Sequence, residues 1–244
     1  MNNQHTFVAF HGDETLKLGV VLETEKIIHK GEIVREDDVE KSEMDVDAAL
    51  RSDYIEIANE TGVPVWFVML TSTLAAYMTE AEAARFMMAV VRGIPVGADV
   101  SKIWSPFARN LMRAGNGGLA AYLKGEKQTS VLIHLSTLHK MTAPDLESFA
   151  RKARELEDLS NISDPSPAYA LAAASHIGWA SHFGGYGGTV AETRAARFAV
   201  SAVHTAVQAM LFADEAKFDQ PSAYAFIGQL LVDALESTFS QSQN

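Results

Sequence analysis

The sequence predicts an all-α fold, a multi-helix bundle of about nine or ten helices, with room for one short strand at the N-terminus. Three observations carry this. Ala168 to Phe239 is alanine-rich with helical patterning, broken once by Phe183-Gly184-Gly185-Tyr186-Gly187-Gly188. Helix-start chemistry recurs, as in Thr79-Glu80-Ala81-Glu82 and Thr142-Ala143-Pro144-Asp145. There a hydroxyl caps free backbone N–H groups and acidic residues meet the positive end of the helix dipole. Glycines stand where helices should stop, at Gly31 and Gly62, because glycine adopts the left-handed C-terminal conformation without a Cβ clash.

Taken in order, Thr6-Phe7-Val8-Ala9-Phe10 fits a single short strand or an extended arm. Gly12-Asp13 turns the chain, and Asp13 caps a helix to His29. A second helix covers Val46 to Glu60, and Pro64 opens a third, to Met78. The helix capped by Thr79 runs to Arg92, and Gly93 to Gly97 is a loop. Asp99 caps a short turn holding Ile103 and Trp104, and Ser105-Pro106 reads as a cap plus first-position proline for a helix to Arg113. After a break at Gly115 to Gly118, Val131 to Leu138 fits either strand or helix, with leucine spacing that favours helix. Thr142 to Leu159 is helical. Asn161 to Pro167 reads as a polar linker, dividing an N-terminal helical region, 1–160, from a C-terminal alanine-rich bundle, 161–244, within one compact body. Helices Ala168 to Phe183, Thr189 to Ala216 and Ser222 to Phe239 complete the chain.

Composition narrows the chemistry. With 48% hydrophobic and 21% charged residues, the 244-residue chain can bury a real core. The absence of cysteine excludes disulfides, thiolate metal sites and a cysteine nucleophile. No apolar run is long enough for a membrane span, and no basic-then-apolar leader opens the chain, so cytoplasm is the expected location. The net charge of −11 opposes direct nucleic-acid binding, which needs cations against phosphate. The acidic run from Glu32 to Asp47 reads as a solvated surface segment.

Four constellations are candidates for function. On the helix from Thr189, residues Arg194, Arg197, Ser201, His204, Thr205 and Gln208 share one arc of about 100° at helical spacing. Two arginines there suit a phosphate or carboxylate, although a water-facing strip has the same pattern. The glycine cluster can bring backbone N–H groups to an anion, with Tyr186 as its lid, or can simply join two helices. His176 and His182 lie on different helix faces and lack metal-ligand spacing; His176 reads as a packed, hydrogen-bonded ring beside Tyr169, Trp179 and Phe183, and His182 as a cap-side residue. His11-Gly12-Asp13 offers an acid–base pair, but capping by Asp13 is the simpler account. No serine stands in a nucleophile elbow.

Phe7-Val8-Ala9-Phe10-His11-Gly12-Asp13 with Leu16-Lys17, and Thr61-Gly62-Val63-Pro64 leading to Ile94-Pro95-Val96-Gly97-Ala98-Asp99-Val100-Ser101 with Trp104 and Phe107, together resemble an uncharacterised group of bacterial proteins. That group carries a similar "IPVGADLS" segment followed by tryptophan and phenylalanine. The resemblance covers about a third of the chain and implies no established activity, cofactor or catalytic residue. The group has cysteine and histidine upstream of its "GIP" element; here Glu32 to Asp53 contains neither.

The sequence therefore points to a binding protein rather than a catalyst, with a protein partner or self-association through its alanine-rich helices, and with no cofactor or metal. A bacterial or phage accessory protein of immunity or anti-defence type fits by association alone. The alternative is a pocket for an anionic small molecule, enzymatic or not, lined by Tyr186, Arg194, Arg197, Ser201 and His204. The two readings separate on whether the Arg194–Gln208 strip faces a cavity.

Overall fold

The computed structural model describes residues 7–30, 46–113, 118–123, 143–158, 165–184, 189–213 and 218–240. Among these residues the fold is all-α: nine α-helices, three short 3₁₀ turns and no strand. The helices are α1 (Glu14–Lys30), α2 (Val46–Thr61), α3 (Val65–Tyr77), α4 (Glu80–Gly93), α5 (Trp104–Met112), α6 (Ala143–Asp158), α7 (Pro165–Gly184), α8 (Thr189–Leu211) and α9 (Gln220–Phe239). The glycines Gly185 to Gly188 with Tyr186, the acidic residues 31–45, and Val131 to Leu138 lie outside the described residues.

The chain separates into two compact units. One comprises His5–Ile103 with Tyr224–Asn244, and the other Trp104–Ala223. The division falls at Ile103/Trp104 and Ala223/Tyr224.

In the unit containing His5–Ile103, local chemistry sets most helix ends. Asp13 Oδ1 accepts the Thr15 and Leu16 N–H groups at 2.7 and 3.3 Å, as capping predicts. Thr79 and Glu82 form a reciprocal capping box at the start of α4. Gly62 ends α2 with φ +68°. α3 buries eight of its thirteen residues, Val65 to Val68, Leu70, Thr71, Leu74 and Ala75, so it is the centre of this unit's core. α4 buries one face, Ala83, Phe86, Val90 and Val91. From α9, Tyr224 stacks on Tyr77 with centroids 4.5 Å apart, and Gly228 admits Met78 and Phe86 against its backbone. α1 buries no residue fully; it rests on α4 through Arg92 Nη2 to Glu25 Oε1 at 2.7 Å and Lys17 Nζ to the Arg92 carbonyl at 3.3 Å.

The N-terminal strand is not formed among the described residues. Ala9–Gly12 is instead a 3₁₀ turn in which Phe10, His11 and Gly12 all have positive φ (54°, 49° and 76°). Left-handed backbone costs a non-glycine residue about 1–2 kcal/mol. Tertiary contacts hold it in place. Ala9 donates to the Ala98 carbonyl (3.0 Å) and accepts from Gly97 N–H (2.9 Å), Phe10 is buried, and His11 Nε2 meets the Asn59 carbonyl at 2.8 Å.

In the unit of Trp104–Ala223, α7 packs on both α6 and α8. Small residues make that possible. Its buried set is dominated by alanine, with Gly178, Ser166 and Ser175. Ser175 Oγ donates to the Ala150 carbonyl of α6 (2.9 Å) and Ser166 Oγ to the Ala209 carbonyl of α8 (2.8 Å), so buried hydroxyls find acceptors across closely spaced helices. α8 answers with Ala195, Ala196, Ala199, Ala202, Ala206 and Ala209, plus Val203, Val207 and Met210.

Three boundaries differ from expectation. α5 starts at Trp104, placing Ser105 and Pro106 inside its first turn, where proline forfeits no intrahelical bond. α7 starts at Pro165, so Ser166 and Pro167 are buried helical residues rather than linker. α8 ends at Leu211, short of Ala216.

Candidate functional site

The helix that carries the polar strip, α8, buries its alanine face against α7 and leaves Arg194 and Arg197 exposed, with Ser201, His204, Thr205 and Gln208 half-buried. Its first half does not face open water alone. Arg194, Arg197 and Ser201 line an open cleft of about 460 Å³ together with Phe198 of α8 and Trp179 and Phe183 of α7. That volume falls in the range of small-ligand sites.

The aromatic wall follows from helical spacing. Trp179 and Phe183 are one turn apart on α7 and share a face; Phe198 reaches them from the border of the α8 strip. Phe183 and Phe198 stack at 5.7 Å with planes 6° apart, while Trp179 lies 5.9 Å from Phe183 and 6.0 Å from Phe198 at 23° and 26°. His182, expected as a cap-side residue, is buried, its ring set edge-on to both Trp179 (5.5 Å) and Phe183 (5.1 Å).

Cations flank this wall from both neighbouring helices. Arg194 Cζ lies 5.4 Å from the Phe183 ring centroid, and Arg151 of α6 lies 5.6 Å from that of Trp179. Arg151 is held there by Glu147, whose Oε1 accepts its Nε and Nη2 at 3.1 and 2.7 Å. That hydrogen bond and the guanidinium's charge hold the Glu147 carboxyl below the usual range.

Two histidines lie beside the cleft. Burial pushes His176 below the ordinary imidazole range, against a hydrogen bond to the Ser201 backbone; Arg154 lowers it further. Its Nδ1 is buried without a partner, which suits a neutral ring. It packs on Phe198 at 5.9 Å, in keeping with the packed histidine expected. Tyr169, placed with it on sequence grounds, stacks instead on Phe212 at 5.4 Å. His204, also lowered by burial, sits one turn beyond Ser201 and is not among the residues lining the cleft.

Of the five residues expected to bind a ligand, Arg194, Arg197 and Ser201 are therefore brought together, His204 stands apart from the lining, and Tyr186 lies outside the described residues. Sequence reasoning missed Arg151 and the role of the three rings. The spacing of Trp179 and Phe183 was the available signal. Elsewhere, His11 and Asp13 serve the N-terminal turn and the α1 cap. Among the described residues no group of three or more His, Asp or Glu converges as a metal site requires. Comparison with protein-family models, with curated proteins and with solved structures gives no match.

Proposed function

We propose that the protein is a binding protein whose ligand site is the α7–α8 cleft, and that the ligand carries an anionic group. The observation that supports this most is the convergence of Arg194, Arg197 and Ser201 on one concave surface. Guanidinium groups match carboxylate and phosphate geometry with paired N–H donors, and a hydroxyl adds a further donor. Net charge is −11, so an anion gains nothing from the chain as a whole and must be attracted locally, by these residues.

A thermal-shift titration with inorganic phosphate and simple carboxylates tests the reading. Ligand at about a hundred times its dissociation constant adds about 2.7 kcal/mol of stability. Arg197→Ala should abolish the shift. A shift that survives both Arg197→Ala and Arg194→Ala would refute the site.

A second reading, a protein partner, is favoured by one observation. Val190 and Phe212, at the two ends of the α8 region and on the strip side by helical spacing, are 70% and 49% exposed. A partner lying along the strip would cover both. Mass determination in solution across a concentration series, with Val190→Glu as the disrupting variant, tests self-association.

A further inference from the structure

Resting on the reading of the cleft as an anion site, we infer that its ligand is an aromatic anion: a flat ring system bearing one phosphate or carboxylate group. The argument comes from what each simpler ligand would leave undone. An inorganic anion would engage Arg194, Arg197 and Ser201 but leave the wall of Trp179, Phe183 and Phe198 in water, and wetted apolar surface is unfavourable. A purely apolar molecule would cover the rings while stripping water from the exposed Arg194 guanidinium without replacing its hydrogen bonds. A ring carrying an anionic group at its edge satisfies both halves of the lining.

The geometry suits this class. The three rings are close to parallel, within 26° of one another, with centroids 5.7 to 6.0 Å apart, so a flat group laid parallel to them can stack with an offset. All three are half-buried, unlike Phe107 and Phe149, which the same unit buries in a largely alanine interior. Arg194 already lies against the Phe183 ring, and the same guanidinium can stack on a ligand ring while its N–H groups meet the anionic group. Arg151, tethered by Glu147, lies over the Trp179 ring and adds a second cation to the aromatic cluster. Aromatic phosphates and aromatic carboxylates share the recognising chemistry, and the test separates them.

Calorimetric titration of the full chain with inorganic phosphate, acetate, 1-naphthyl phosphate, 1-naphthoate and adenosine monophosphate is the experiment. At least one ring-bearing anion should bind about tenfold or more tightly than its ring-free counterpart, the worth of one stacking contact. Whichever of the phosphate and carboxylate pairs shows the larger ratio names the anionic group. Phe183→Leu should erase the ratio, and Arg197→Gln should weaken every anion. Saturation-transfer NMR on the unmodified chain should report the ligand ring against protein aromatic protons, whether or not the variants fold. Equal affinity for ring-bearing and ring-free anions would overturn this inference and leave the anion site standing. A ratio unchanged by Phe183→Leu, or no aromatic contact by NMR, would also overturn it. No binding of any anion would remove both readings together.

Discussion

Gly62 lies so close beneath the Val8 carbonyl that a Cβ on it would overlap that oxygen, and its backbone is left-handed at φ +68°. Two segments far apart in sequence, the end of α2 and the N-terminal turn, are thereby locked together. Gly62→Ala meets both obstacles. Left-handed backbone costs alanine about 1–2 kcal/mol, and the overlap adds to it, so a loss of about 2 kcal/mol or more is expected in urea denaturation. Gly93→Ala is the control: nothing lies within 4 Å of its Cβ position, so stability should hold or rise slightly. Equal stability of the two variants would show that the N-terminal turn does not require the glycine.

Two buried glycines should respond differently to the same substitution. At Gly178 an added Cβ would lie 2.9 Å from both Ala150 Cβ and Phe149 Cδ1 and 3.2 Å from Ala150 Cα. The Ala150 Cα and Cβ are fixed to the α6 backbone, so α6 itself must move. At Gly228 the nearest obstacle is the Met78 methyl, the far end of a flexible chain. Overpacking costs about 1–3 kcal/mol where neighbours cannot yield, and replacing a helical glycine gains back up to about 1 kcal/mol. Gly178→Ala should therefore lower the melting temperature clearly more than Gly228→Ala. The reverse order would mean that α6 and α7 are less closely packed than the Ser175–Ala150 hydroxyl–carbonyl bond implies.

What could be read from sequence was what local chemistry decides. The Thr79–Glu82 box, the Asp13 cap and the Gly62 stop each depend on residues within one turn, and each stands where expected. The α8 strip was legible because helical period alone puts Arg194, Arg197 and Ser201 on one face. The aromatic wall was not, because it needs the register between α7 and α8, which alanine packing sets and no single residue announces. Arg151 was hidden because its spacing from Glu147 reads as an ordinary exposed ion pair. The left-handed Phe10 and His11 were invisible for a different reason. Phenylalanine disfavours that backbone and histidine adopts it only occasionally; contacts with Asn59, Gly97 and Ala98 hold it there. Pro165 and Pro167 were read as linker, whereas the first turn of a helix accepts proline just as well.

α1 and α3 should differ sharply in amide hydrogen exchange. α1 has no fully buried residue, exposes Leu18 and Leu22 at 57% and 55%, and is tied to α4 by Glu25–Arg92 and Lys17 beside half-buried Leu16, Val20 and Ile28. Exposed ion pairs of this kind contribute about 0–1 kcal/mol. α3 is anchored by eight buried side chains. α1 amides should exchange by local opening, well ahead of α3, and Glu25→Gln should speed α1 while leaving α3 unchanged. Equal protection of the two helices would show that they open as one.

Stability should fall as pH drops through the range where free imidazole takes up a proton. His176 and His204 are both lowered by burial. The unfolded chain, with ordinary imidazoles near 6.5, then binds more protons than the folded chain below that pH. The sign follows directly. The stability is fully present above the unfolded value, declines as pH falls below it, and levels off once the pH passes beneath the folded values. Each ring contributes at most about 1.4 kcal/mol per pH unit inside that window. Urea denaturation at pH 7.5, 6.5 and 5.5 should show the decline, and His176→Phe, which keeps an aromatic ring against Phe198, should remove a substantial part of the slope. An unaltered slope in His176→Phe would assign the pH dependence to His204 or to other groups.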